Sequence, residues 1–327
     1  MTVLVTGAGG FTGSHLARHL AERGDRVRAM VRTPASAAER LRSANIEVVQ
    51  GDLTDRDSLR RALDGVEVVY NIAALYREAG LPVPTYRAVN AEAVGEIVRL
   101  AREAGARRIV HCSTVGVHGD IDGPPANEDA PIRPGDVYQQ TKVEGERVGL
   151  AAAGQTGMAL VIARPSGIYG PGDRRLFKVF GKIAQRRFIM LGSGVNFYHL
   201  TYIEDLCEGF RLCGTVPAAA GRTYILAGGE VTTLRELIAL TAEVAAVPPP
   251  RLRLPVWPFW LAGAVCEVAC GPLGVAPPIY RRRVDFFRKS RAFDTSRARR
   301  ELGFDPQVGL REGIGRTLEW YREHGWI

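Results

Sequence analysis

Short apolar runs alternate with amphipathic stretches through the first half of the chain. Residues 3–6 are apolar up to a closing threonine, and residues 14–23 place Leu16, Ala17 and Leu20 on one helical face, predicting a buried strand and then a helix that Gly24 ends. The same alternation predicts strands over 26–31, 46–50, 66–72, 108–113 and 159–163, with helices over 35–43, 57–63, 88–104 and 137–153. Strand–helix alternation of this kind implies an α/β architecture, a doubly wound parallel sheet covered by helices on both faces. After Arg164 proline and glycine become denser, in RPSGIYGPGD, VPPPRLRLPVWP and GPLGVAPP. The pattern there predicts a smaller, mostly helical lobe over about 165–197 and 229–327, the chain returning to the sheet within about 198–228.

Composition narrows the class. With 327 residues and 46% hydrophobic content the chain can bury a large core, which excludes a disordered protein. The start, MTVLVTG, lacks the basic and apolar regions of an export signal, so a cytoplasmic location is expected. Five cysteines, at 112, 207, 213, 266 and 270, form no CxxC pair and argue against a disulfide framework or a zinc site. His15 and His19 are one helical turn apart without a third ligand, so no metal is expected. The net charge is +8, but Arg outnumbers Lys 39 to 4, a compositional bias. A phosphate-bearing ligand is compatible with it, whereas nucleic acid lacks a recognition motif.

The sharpest local signal is LVTGAGGFTG, residues 4–13, four of whose glycines fall within seven positions. Between a strand and a helix, Gly7 permits the tight turn, Gly10 lets the backbone approach a pyrophosphate, and Gly13 lets helix and strand pack closely. The free N–H groups and partial positive charge of the helix start then favour the phosphates. The spacing is GxxGxxG, and with Thr6 and Phe11 it resembles the extended short-chain dehydrogenase/reductase superfamily.

That resemblance implies a Tyr-x-x-x-Lys pair downstream, which Tyr138 and Lys142 supply in VYQQTK. Ten tyrosines and four lysines would give only about 0.12 such pairs by chance. The spacing puts both side chains on one helical face, where an ammonium would lower the pKa of a phenol that ordinarily titrates near 10. Tyr138 is thus the candidate acid or base for a secondary alcohol, and the resemblance implies that Lys142 also holds the nicotinamide ribose. HCSTVGVHG resembles the superfamily's S-S/T-x-x-x-Y-G stretch, and counting back from Gly119 gives Thr114 the catalytic hydroxyl, with Ser113 beside it as the alternative.

Cofactor choice is read where the second strand ends. Val31 and Arg32 stand where an Asp or Glu would bind an unphosphorylated ribose, and arginine suits a 2'-phosphate. VRAMVR also looks like the VRATVR of plant dihydroflavonol reductases, so NADP is preferred over NAD. The resemblance implies further cofactor contacts at Asp52 and Leu53 in QGDLTD, at Ala73 and Ala74 in NIAA, and at Ser113 and Pro165.

Two branches of the superfamily remain open for the substrate. Where nucleotide-sugar epimerases and dehydratases carry Asn, this chain has Ser166; where they carry Arg-Asp, it has Tyr198-His199. These departures favour the 3β-hydroxysteroid, sterol and 3-oxoalkanoate branch, with Tyr76, Thr114, Ser166 and His199 facing a hydrophobic hydroxy or keto substrate and His118 a further flanking candidate. An epimerase that retains NAD is the alternative, and a non-catalytic NADP sensor a remote one. Residues 254–275 carry one charge, Glu267, but Pro255, Pro258 and Pro272 leave too short a helix for a membrane span. This segment is read as the wall of a lipophilic pocket, a weakly membrane-associated surface beside the basic RRRVDFFRKSR, or ordinary packing of the smaller lobe or a subunit interface. The resemblance also implies a homodimer built on helices 88–104 and 137–153.

Overall fold

A computed structural model describes residues 1–37, 40–78, 80–270 and 281–327. In chain order its central sheet uses β1 (Thr2–Thr6), β2 (Arg26–Val31), β3 (Ile46–Gln50), β4 (Val68–Asn71), β5 (Arg108–Cys112), β6 (Leu160–Pro165) and a last strand, Thr223–Leu226. Across the sheet the order is Thr223–Leu226, β6, β5, β4, β1, β2, β3, all parallel. The order reverses at β1, where β2 lies on one side and β4 on the other. A crevice therefore opens between the carboxyl ends of β1 and β4, the usual ligand position in such sheets.

The strands are apolar on both faces because helices cover both. Val3 and Val5 belong to one core and Leu4 to the other, the period-two alternation of a strand carried by hydrophobic residues alone. The first core runs on without a break through Phe180, Leu237 and Tyr321, so the carboxyl-terminal part packs as a continuation of the sheet's core. That part holds a three-stranded sheet (Val231–Thr233, Phe197–Tyr202, Gly167–Tyr169), a two-stranded one (Met190–Leu191, Arg253–Leu254), and helices that include Leu234–Val244, Trp257–Cys270 and Leu310–Glu323.

Several boundaries differ from the sequence reading. Over 35–43 helix is seen only at Pro34–Ala37; residues 38 and 39 lie outside the described residues, and Leu41 is buried from a turn. The helix expected over 88–104 starts earlier, at Val83–Arg87, passes through a π turn at Ala88–Glu92 and ends as Ala93–Glu103. Pro84 falls in its first turn, where a missing N–H costs nothing. The chain's return to the central sheet is Thr223–Leu226 alone, since Phe197–Tyr202 pairs in the small sheet instead.

Candidate functional site

A cleft of about 770 Å3 runs over the carboxyl ends of the strands, from Arg32 and Asp52 at one end to Phe286, Arg291 and Phe293 at the other. The glycine loop forms its floor. Gly7 has φ +68°, and a Cβ there would lie 2.7 Å from Ala73 Cα; a Cβ on Gly13 would lie 2.2 Å from Gly7 O. Only hydrogen fits at either place, so the backbone of β1 closes against both β4 and the following helix. That helix, Phe11–Glu22, starts at Gly10 with no side-chain cap and no acidic residue in its first turn. Its first N–H groups are left to an anion in the cleft, so the loop fits a dinucleotide pyrophosphate. Arg32 is exposed on the wall. Asp52 accepts from Thr54 N–H at 2.8 Å and Thr54 Oγ1 at 2.6 Å; these bonds chiefly, and Arg32 to a lesser degree, hold its carboxyl below the usual range against partial burial. Leu53, Ala73, Ala74 and Pro165 also line the cleft.

The helix Val137–Thr156 brings Tyr138 to the cleft that Thr114 also lines. Asp136 caps it by accepting from Gln139 N–H at 2.9 Å and also receives Arg77 Nε at 2.9 Å. Arg77 Cζ lies 5.7 Å from the Tyr138 ring, and Tyr76 packs edge-on against that ring at 4.8 Å. Asn90 holds this loop to the helix, bonding Leu75 N at 2.9 Å and Thr141 Oγ1 at 3.1 Å. Burial raises the Tyr138 pKa, and the cations that oppose the rise are Arg77 and Arg175. The sequence offers Arg175, with Arg174, only as a replacement for the missing phosphate-binding arginine, and Arg77 not at all, because nothing local links positions 77 and 175 to position 138.

The remaining candidates separate by what their polar atoms already do. Thr114 Oγ1 accepts Gly116 N–H at 3.0 Å, which leaves its hydrogen to donate into the cleft. Ser113 also reaches the cleft, but its hydroxyl donates to Glu146, which is buried in an ion pair with Arg164 at 2.6 Å. Ser166 shares its hydroxyl with Thr201 at 2.6 Å. His199 lines the cleft, yet Nε2 lies 2.6 Å from Gly228 O and Nδ1 accepts Phe293 N–H at 3.3 Å, so both ring nitrogens serve the backbone. His118 is buried away from this cleft, against Arg164 and Ala130 O. Lys142 is only 1% exposed and lies behind the cleft wall, Nζ 3.3 Å from His111 Nε2.

Helix Trp257–Cys270 forms no part of the cleft, contrary to the pocket-wall reading. Its side chains at Trp257, Leu261, Val265 and Val268 face outward, and residues 271–280 of that segment lie outside the described residues.

Comparison with known proteins agrees with this geometry. The model of the NAD dependent epimerase/dehydratase family matches residues 3–227. The chain is 29% identical to 3beta-hydroxysteroid-dehydrogenase/decarboxylase isoform 1 of Arabidopsis thaliana, over 97% of this chain and 78% of that protein. It is 31% identical to a putative dihydroflavonol 4-reductase of Synechocystis sp., over 99% of this chain and 95% of that one. The solved structure of MoeE5 in complex with UDP-glucose and NAD superposes with a TM-score of 0.78 at 26% identity, covering 99% of both chains. The chain belongs to the NAD-dependent epimerase/dehydratase family and is an enzyme of the extended short-chain dehydrogenase/reductase type.

Proposed function

We propose that this enzyme moves hydride between a nicotinamide cofactor, preferably NADP, and a secondary alcohol or ketone carbon of a hydrophobic substrate. The observation that carries the reading is that Tyr138 and Thr114 line the same cleft as the glycine loop. When bound, the nicotinamide supplies or accepts the hydride. Tyr138 Oη gives or takes the proton at the substrate oxygen, and Thr114 Oγ1 donates a hydrogen bond to that oxygen. The far half of the cleft, with Ile168, Leu176, Leu200, Phe286 and Phe293, supports an apolar substrate of sterol, terpenoid or 3-oxoacyl type. The name of the Arabidopsis relative supports the same branch. Arg32 on the wall supports the 2'-phosphate.

A nucleotide-sugar epimerase is the second reading. Arg77, Arg175 and Arg291 all line the cleft, and the MoeE5 structure holds UDP-glucose and NAD. Against it, Arg77 and Arg175 are each engaged by an aspartate, Asp136 and Asp173. The experiment is to denature the purified protein, identify any cofactor released, and titrate the stripped protein with NADP and NAD. An exchangeable site that prefers NADP, with that preference lost in Arg32→Ala, is expected. Tightly retained NAD would overturn the proposal in favour of the epimerase.

A further inference from the structure

Arg175 bridges the crevice between the carboxyl ends of β1 and β4. Its Cζ lies 5.9 Å from the Phe11 ring, on the helix that follows β1, and 5.4 Å from the Tyr76 ring, on the segment that follows β4. Two further contacts set the loop before Arg175 against the helix Phe11–Glu22. His15 Nε2 donates to Pro171 O at 3.1 Å, its Nδ1 being taken by Arg18 at 3.2 Å, and a Cβ on Gly172 would lie 4.0 Å from the Phe11 ring. The Asp173 carboxylate, 1% exposed, accepts the backbone N–H groups of Arg175 and Leu176 at 3.1 and 2.9 Å and Arg175 Nε at 3.1 Å. Tyr321 Oη ties the same residue down by donating to Asp173 O at 2.7 Å. The guanidinium is thereby held beside the helix start and kept from swinging into the apolar half of the cleft.

An arginine held in this way keeps donors to offer. A guanidinium carries five N–H groups; Asp173 takes the one on Nε, Ile168 O takes one on Nη2 at 3.4 Å, and 40% of the side chain is exposed along the cleft. Arg77, which also meets the Tyr76 ring, differs: its Nε and Nη2 reach Asp136 at 2.9 and 2.7 Å, and its Nη1 reaches Tyr76 Oη at 3.1 Å. Among the described residues the one carboxylate lining the cleft is Asp52, at the Arg32 end. An anion beside Phe11 therefore meets a fixed cation and the uncapped start of the helix together.

We propose that Arg175 is a binding residue for the cofactor's pyrophosphate, its guanidinium donating to the same phosphates that the helix start receives. The inference rests on the reading of the cleft as a dinucleotide site. The planar fork of arginine matches two phosphate oxygens, and its charge strengthens both bonds. NAD and NADP both carry the pyrophosphate, so Arg175 adds affinity for either and leaves the choice between them to Arg32. Asp173 holds Arg175 for the cofactor's phosphates rather than for those of a substrate.

Calorimetric titration of the stripped protein with NADP and with NAD tests the assignment. Arg175→Ala is expected to weaken both by the same factor, about 10–100-fold, whereas Arg32→Ala weakens NADP alone. Arg175→Lys, which keeps the charge, is expected to recover part of the loss, and Arg175→Gln gives the alanine reading should Arg175→Ala not fold. Phosphorus-31 spectra of NADP at saturation separate a lost contact from a disturbed cleft: between wild type and Arg175→Ala the pyrophosphate resonances are expected to move and the 2'-phosphate resonance to stay. Affinity for both dinucleotides kept in Arg175→Ala, or pyrophosphate resonances that do not move, would overturn the proposal and leave Arg175 to an anionic group of the substrate. A 2'-phosphate resonance that moves as far as the pyrophosphate pair would assign the loss to a general disturbance and overturn it too. A wild-type protein that binds neither dinucleotide would overturn the reading of the cleft itself, an outcome distinct from wild-type binding that Arg175→Ala leaves intact.

Discussion

At Tyr138, burial and two guanidinium groups pull in opposite directions. Burial raises the phenol's pKa, and Arg77 and Arg175 lower it. The local sequence points to Lys142 as the cation, because i, i+4 spacing is all that a single helix reveals. The fold places Lys142 against His111 and brings Arg77 and Arg175 from other segments. Tyr138→Phe removes the proton that moves while keeping the ring that Tyr76 packs against. Turnover should fall by roughly 10²–10⁴-fold with cofactor affinity retained. Steady-state kinetics beside a cofactor titration checks this, and a variant that keeps its rate would remove Tyr138 from the chemistry. In the sequence, counting back from Gly119 favours Thr114 with Ser113 as the alternative; in the fold Ser113 differs because Glu146, a residue 33 positions away, takes its hydroxyl.

At the scale of elements, the helix Phe11–Glu22 under the glycine loop is tied to the helix Ile203–Thr215 through one carboxylate. Glu208 meets Arg211 at 2.7 Å, His19 at 3.0 Å and Arg23 at 3.3 Å. The Arg211 hydrogen bond chiefly, with help from His19 and Arg23 and against some burial, lowers the Glu208 pKa from 4.5 to about 2. A lowered carboxylate pKa stabilises the fold above the unfolded value, and that stabilisation is lost as pH falls through the folded one. Glu208→Gln should therefore have a lower Tm than the parent at pH 7, and the gap should close between pH 4.5 and about 2. Thermal scans across that range check it, and a gap independent of pH would show that the ion cluster is not its source. Element types in the first half were legible because strand and helix periods are local. The end of the helix expected over 35–43 was not, since Leu41 achieves burial from a turn.

For the whole molecule, the most exposed apolar feature among the described residues is the face of helix Trp257–Cys270. Trp257 is 69% exposed, Leu261 51%, Val265 59% and Val268 75%. Beside it lies RRRVDFFRKSR, six basic residues against one acid, and Arg281 and Arg288 both reach the Trp260 ring of this helix. No helix among the described residues is long and apolar enough to cross a membrane. An apolar helical face with a tryptophan and a basic flank suits the surface of an anionic bilayer, and Phe286 of the basic segment also lines the cleft. We predict co-sedimentation with vesicles of mixed phosphatidylglycerol and phosphatidylcholine, weaker on pure phosphatidylcholine, weakened by salt and reduced in Trp257→Ser with Val268→Ser. Failure to sediment with the anionic vesicles would refute the prediction.

The sequence by itself determined what depends on near neighbours: a strand, a glycine turn and a helix in that order, a Tyr and a Lys one helical turn apart, and an arginine where the second strand ends. Each follows from backbone sterics and the periods of strand and helix, which act within a few residues. Tertiary structure alone decided how polar atoms are shared. The sheet order sets β1 beside β4 and β4 beside β5, so Thr6, Asn71 and His111 become neighbours and reach Lys142. The same packing commits His199 to Gly228 and Phe293, and carries Trp257–Cys270 away from the cleft. A hydrogen bond acts over about 3 Å, and only the folded chain brings residues so far apart in sequence within that reach.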